Sequence, residues 1–190
     1  MYKLCKTEQS AQRQIEIEEE LLSLMQQHRY EDITVSNLCA SLQMPRKSFY
    51  RYFGSKDDAL YGLLDRRLMG YETQYDGSLT YLKPGITLDL NWFFEFWLRQ
   101  KDLLDALAYS GLTGILVQRS MLHSQRAEIF DYAPEIYSKA DVEMITSFTV
   151  CGLMTIVTKW HHDGYRQSPK EMAEAAYKML TRPLVPDAEL

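Results

Sequence analysis

Arg46, Lys47, Tyr50 and Arg51 crowd into one short stretch, with Ser48 and Tyr52 among them and Lys56 just beyond. Guanidinium and ammonium groups at this density suit phosphate oxygens and the acceptor edges of bases. Phenols and hydroxyls add neutral hydrogen bonds to the same targets. From Gln43 to Lys56 there is no acid, although the 190-residue chain carries a net charge of -5. The local field therefore favours a polyanion where the total does not. A short basic helix alone is an ordinary solvated surface; the pattern around this one points further.

Three elements must hold those groups. Val35, Leu38, Cys39 and Leu42 stand at i, i+3, i+4 and i+7, the apolar stripe of a short helix over 35–42. Thr34 is placed to cap it, its hydroxyl accepting from a first-turn amide. Gln43 and Met44 form the turn, and Pro45 opens the next helix, where its missing N–H costs nothing. Over 46–53, Phe49 and Phe53 point inward, which turns Arg46, Lys47, Tyr50 and Arg51 outward. Ser55 and Asp58 then read as a variant capping box for a third helix. Lys56 beside that helix start makes a phosphate clamp. The whole is a helix-turn-helix layout that offers one helix to a DNA major groove.

These residues resemble the TetR-type family of bacterial one-component regulators. The resemblance rests on Thr34-Val35, the run Phe49-Tyr50-Arg51-Tyr52-Phe53, Ser55-Lys56 and Leu60, and covers about the first third of the chain. It implies three N-terminal helices, the third reading bases while neighbouring groups grip phosphates. Carried over by position, Arg46, Lys47 and Tyr50 approach base edges. Ser36, Ser48, Tyr52 and Lys56 hold the backbone, with Thr34 and Arg51 completing the DNA-binding set. The chain also departs from the family pattern. Gln43 stands where the turn usually has Gly, Pro45 where Ser or Thr is common, and Lys47 where a small residue is common. A left-handed backbone at Gln43 would cost about 1–2 kcal/mol. Lys47 adds length and charge at the groove, so the preferred DNA sequence is this chain's own.

Charge divides the chain. Residues 1–56 hold eight Lys/Arg against seven Asp/Glu, a balance of +1, whereas 57–190 hold thirteen against nineteen, or -6. Nucleic acid is thus expected at the front only. In the first helix Glu16, Glu18, Glu19 and Glu20 read as a solvated face opposite Ile17, Leu21, Leu24 and Met25. Three scattered cysteines, Cys5, Cys39 and Cys151, have no metal spacing; Cys39 and Cys151 fall on apolar helix faces and read as small core residues rather than a disulfide framework. No run is read as approaching the ~18 apolar residues of a membrane span, and no secretory signal opens the chain. These features favour a cytoplasmic protein. The histidines lack zinc-type spacing, and there is no phosphate loop, nucleophile elbow or paired-acid cluster. No catalytic residue, metal ligand or cofactor is therefore expected.

Helices are predicted over 8–28, 35–42, 46–53, 56–75, 85–99, 101–109, 112–130, 138–162 and 169–181, without strands. Asn91 to Leu98 is apolar almost all round, as in the middle of a bundle. Seventeen of the 23 aromatic residues lie beyond residue 56. Either they form plain core or they line a pocket of Trp92, Phe93, Phe96, Trp97, Tyr109, Met121 and Tyr132, with Arg99 or His123 as polar anchors. The family resemblance implies an effector in that pocket. Val142, Ile145, Phe148, Gly152 and Ile156, and then Met172, Ala175, Ala176 and Met179, give the last two helices apolar stripes. These close the monomer's own core or, as the resemblance implies, pair with a second copy.

The expected fold is all-α: an N-terminal three-helix helix-turn-helix domain over 1–56, then a helical bundle over 57–190 for dimerisation and ligand sensing. The expected function is a DNA-binding transcriptional regulator, most simply a homodimeric repressor on a palindromic operator in double-stranded DNA. A small hydrophobic or aromatic effector would modulate it. The alternative is a DNA-binding regulator without such an effector, controlled by protein partners. Neither reading involves a membrane.

Overall fold

The computed structural model describes residues 7–73, 89–127 and 137–181, and among these every regular element is a helix. They run α1 (Glu8–Met25), a 3-10 turn (Tyr30–Asp32), α2 (Val35–Ser41), α3 (Arg46–Phe49) and α4 (Lys56–Thr73). The body continues with α5 (Leu90–Arg99), α6 (Lys101–Tyr109), α7 (Thr113–Ala127), α8 (Lys139–His162) and α9 (Pro169–Thr181). The predicted gap over 76–84 lies outside the described residues, as do Cys5 and Tyr132.

Several starts are set by side-chain caps. Thr34 and Asn37 form a reciprocal capping box on α2, Asp89 Oδ1 accepts from Trp92 N at 3.0 Å, and Ser138 pairs with Asp141 at the head of α8. Ends depart from expectation by a few residues. α1 stops at Met25, three residues short, in turns where the amides of Gln27 and His28 both reach the Leu24 carbonyl. Pro45 is the cap of α3 rather than its first helical residue, with extended backbone at ψ 140. α3 itself tightens after Phe49, where Arg51 N bonds Ser48 O and Tyr52 N bonds Phe49 O.

α4 positions everything else. It packs on α1 at one side and on α7 at the other, while α8 lies on α7 and α9 on α5. The division expected at residue 56 thus falls on the first residue of a helix shared by both halves. Gly62 makes the close approach to α1 feasible: a Cβ there would meet Glu18 Oε1 at 2.7 Å and Phe53 at 3.0 Å.

The acidic run of α1 is not a solvated face, which corrects the sequence reading. Glu18 is only 3 % exposed, and Arg66 Nε donates to its carboxylate at 2.5 Å. Glu19 accepts from both Arg66 and Arg67, and Glu20 from Ser41. Burial, opposed by Arg66, pushes the Glu18 carboxyl above the ordinary range. The partners of Glu18 and Glu19 come from α4, some fifty residues on, and that of Glu20 from α2, so periodicity along α1 could not reveal them. Further links tie the head to α6: Gln26 Nε2 donates to Asp102 O at 2.6 Å, and Tyr30 N to Ser110 Oγ at 3.0 Å.

α8 brings a second correction. By length and composition it would suffice to cross a membrane, and only 28 % of its most apolar window is buried within the chain. Interspersed Thr and Gly residues hide this in the sequence.

Candidate nucleic-acid interface

The turn between α2 and α3 is tight because it closes two backbone bonds, Gln43 N to Ala40 O at 3.1 Å and Met44 N to Cys39 O at 2.9 Å. This closure puts Gln43 at φ +49, the left-handed conformation that glycine takes without cost. Met44, 7 % exposed, anchors the turn in the core. Gln43→Gly is expected to stabilise the protein by roughly 0.5–1 kcal/mol, strain relief exceeding the extra freedom of glycine in the unfolded chain. Gln43→Val should shift the urea midpoint the opposite way.

Phe49 and Phe53 are buried, their ring centroids 5.8 Å apart, and they hold α3 by its inner face. Arg46, Lys47 and Arg51 are exposed on the outside, and Tyr50 is 49 % exposed. Arg46 Nη2 donates to Tyr50 Oη at 3.3 Å, so guanidinium and phenol are presented together. Thr34 and Ser36 are exposed at the start of α2, whereas Ser48 and Tyr52 are half-buried at the margin of the same surface. No acid stands in the segment from Gln43 to Lys56 that builds most of this patch.

Lys56 behaves differently from its expected role as a phosphate clamp. Its ammonium turns inward, 2.5 Å from the carbonyls of both Tyr30 and Ile33 and 4.0 Å from the centre of the Tyr30 ring. Burial pulls its pKa below the ordinary range. The 3-10 turn creates this cradle by aiming carbonyls at the start of α4. Tyr30, missed by the sequence reading, completes it by donating from Oη to Asp57 Oδ1 at 2.5 Å. Lys56 thereby fixes the helix start, whose cap is Ser55 Oγ accepting from Asp58 N at 3.0 Å.

A second feature lies in the body. An apolar cavity of about 60 Å³ opens between Leu68 and Tyr71 of α4, Phe93 and Trp97 of α5, Ser120, His123 and Ser124 of α7, and Val150, Leu153 and Met154 of α8. Of the expected lining, Phe93, Trp97 and His123 are present. Trp92 instead lies under the Arg99 guanidinium at 4.4 Å, which removes both from the lining. Phe96 is spent on core packing against Tyr71 at 5.3 Å and Trp97 at 5.5 Å. Tyr109 ends α6 on the surface, 55 % exposed, and Met121 is half-buried outside the cavity. The missed lining from α8 was visible as Val150, Leu153 and Met154 at i, i+3 and i+4, a stripe shared with α7.

The comparisons agree with this arrangement. The family described as "Bacterial regulatory proteins, tetR family" matches residues 19–60. The description "Transcriptional regulator C-terminal region" matches residues 119–182. No curated protein matches the chain. Among solved structures, the chain is similar to the dihydroxyacetone kinase operon activator DhaS, at 14% identity and a TM-score of 0.54, covering 88% of this chain and 93% of that one. It is equally similar to the fatty acid degradation regulator FadR from Bacillus halodurans, at 14% identity and a TM-score of 0.54, covering 90% and 96%. At such identity these two speak for the fold alone. With its head and its C-terminal region both matched, the chain belongs to the TetR family of bacterial transcriptional regulators and carries that family's DNA-binding helix-turn-helix.

Proposed function

We propose that this protein is a cytoplasmic homodimeric repressor that occupies a palindromic operator and is released or retained by a small molecule in the body cavity. The observation that carries the reading is the acid-free outer face of α3, with Arg46 and Lys47 exposed and Tyr50 held beside Arg46. Arg46, Lys47 and Tyr50 would reach base edges, and Thr34, Ser36, Ser48, Arg51 and Tyr52 the sugar–phosphate backbone. One such short helix reads too little sequence alone, so a second copy is needed.

The dimer surface would be the open side of α8 and α9. Met144 and Phe148 are 71 % and 69 % exposed there, with Met179 at 55 %. Gly152 has nothing within 4 Å of where its Cβ would lie, leaving a shallow groove beside Phe148 and Met179. A large apolar patch on a helix so little covered by its own chain calls for a partner, and a two-fold four-helix contact covers it self-consistently. α4 would carry the effector's signal, because Lys56 begins it at the head and Leu68 and Tyr71 border the cavity at its far end. Binding at the cavity shifts DNA affinity only if the ligand prefers one arrangement of α4.

The test is Phe148→Glu, followed by sedimentation and operator binding on the same samples. A charge placed in the apolar contact should give monomers at micromolar concentration and lower operator affinity at least tenfold. A Phe148→Glu protein that stays dimeric and binds as before would refute the assigned surface.

A further inference from the structure

We infer that the body cavity takes an uncharged, mostly apolar molecule of about one ring, carrying one hydrogen-bonding group for Ser120; this rests on the effector reading above. Among the described residues the lining contains no Lys, Arg, Asp or Glu, and its one base is the His123 imidazole, so a charged ligand would be desolvated there with no permanently charged group beside it. Tyr71, Phe93 and Trp97 supply aromatic edges and faces, which favour a flat apolar guest.

Ser120 provides the polar handle. It is 5 % exposed and borders the cavity, yet its Oγ has no hydrogen-bond partner among the described residues. A buried hydroxyl left unpaired is costly, and such groups are seldom kept without a role. Ser124, one helical turn on, already spends its proton on the Met121 carbonyl at 2.9 Å. Ser120 is therefore the hydroxyl still available to a guest.

Size sets the upper bound. The void of about 60 Å³ is smaller than the roughly 150 Å³ apolar cavity that accommodates a benzene in another protein. One ring can be admitted if Met154 swings aside, which its unbranched side chain allows. A two-ring or long-chain guest would have to separate α7 from α8.

Titration calorimetry and thermal shift on the full chain with phenol, toluene and benzoate test this. Phenol and toluene should bind saturably and raise the Tm, phenol at least tenfold more tightly than benzoate. Ser120→Ala should weaken phenol about fivefold to tenfold while leaving toluene within twofold. Because it removes an unpaired polar group, it should leave the Tm of the free protein equal or higher. Benzoate binding as tightly as phenol, equal losses for phenol and toluene in Ser120→Ala, or no saturable binding by either neutral ring would each overturn the inference. Operator retention measured on the same samples keeps the two readings apart. Phenol bound through Ser120 without effect on DNA supports the ligand class and removes the effector role. Benzoate that binds tightly and alters operator retention does the reverse.

Discussion

Arg119→Ala should cost the fold about 3–5 kcal/mol. Arg119 Nε donates to Asp65 Oδ1 at 2.8 Å and Nη2 to the other carboxylate oxygen, a two-pronged contact between α7 and α4. Both side chains are largely withdrawn from water, at 15% and 12% exposure. The guanidinium also sits 5.1 Å from the centre of the Tyr61 ring. Truncation takes both guanidinium bonds from a carboxylate in a place water barely reaches, and that penalty exceeds the modest worth of the intact pair. Against the 5–15 kcal/mol typical of a domain the loss is a large share. Arg119→Lys keeps the charge but not the planar fork and should recover only part. The measurement is the urea midpoint at one fixed protein concentration, since the proposed dimer would make stability concentration-dependent. A loss below about 1 kcal/mol would mean that the pair behaves as an exposed one.

Lys47→Ala should weaken operator binding about 10- to 100-fold and relax the preferred base at the position it faces. Lys47 is exposed on the outer side of α3, beside the Arg46–Tyr50 pair, with no competing acid in reach along the segment. Arg51, at the edge of the same face, serves as the contrast. Arg51→Ala should lower affinity evenly across sequences and reduce the salt slope by about one, the behaviour of a phosphate contact. If the two variants lose affinity alike with unchanged base preference, Lys47 grips phosphate too and the division of roles is wrong.

How much of this was legible depends on the distance over which each feature is decided. The stripe of Val35, Leu38, Cys39 and Leu42 and the inward pair Phe49 and Phe53 are local, and the head follows from them. The strain at Gln43 was readable as a residue standing where glycine is usual, and the backbone there is indeed left-handed. Features decided by remote partners were not readable. Glu18 looked solvated because Arg66 lies on another helix, and Lys56 looked free because its acceptors are backbone carbonyls that exist only once the 3-10 turn forms. The cavity was placed in the right layer but partly lined with the wrong residues. Aromatic content singled out α5, whereas the far walls come from Ser120 and Ser124 on α7 and from aliphatic residues of α8.

Sequence reading by two copies of α3 is the claim on which the rest depends. Its most direct test is the selection of bound duplexes from a random pool by the unaltered protein. The prediction is a two-fold symmetric motif whose half-sites lie about 34 Å apart, one helical turn of DNA. A pool that remains random after selection, or a single half-site bound by one copy, would contradict it.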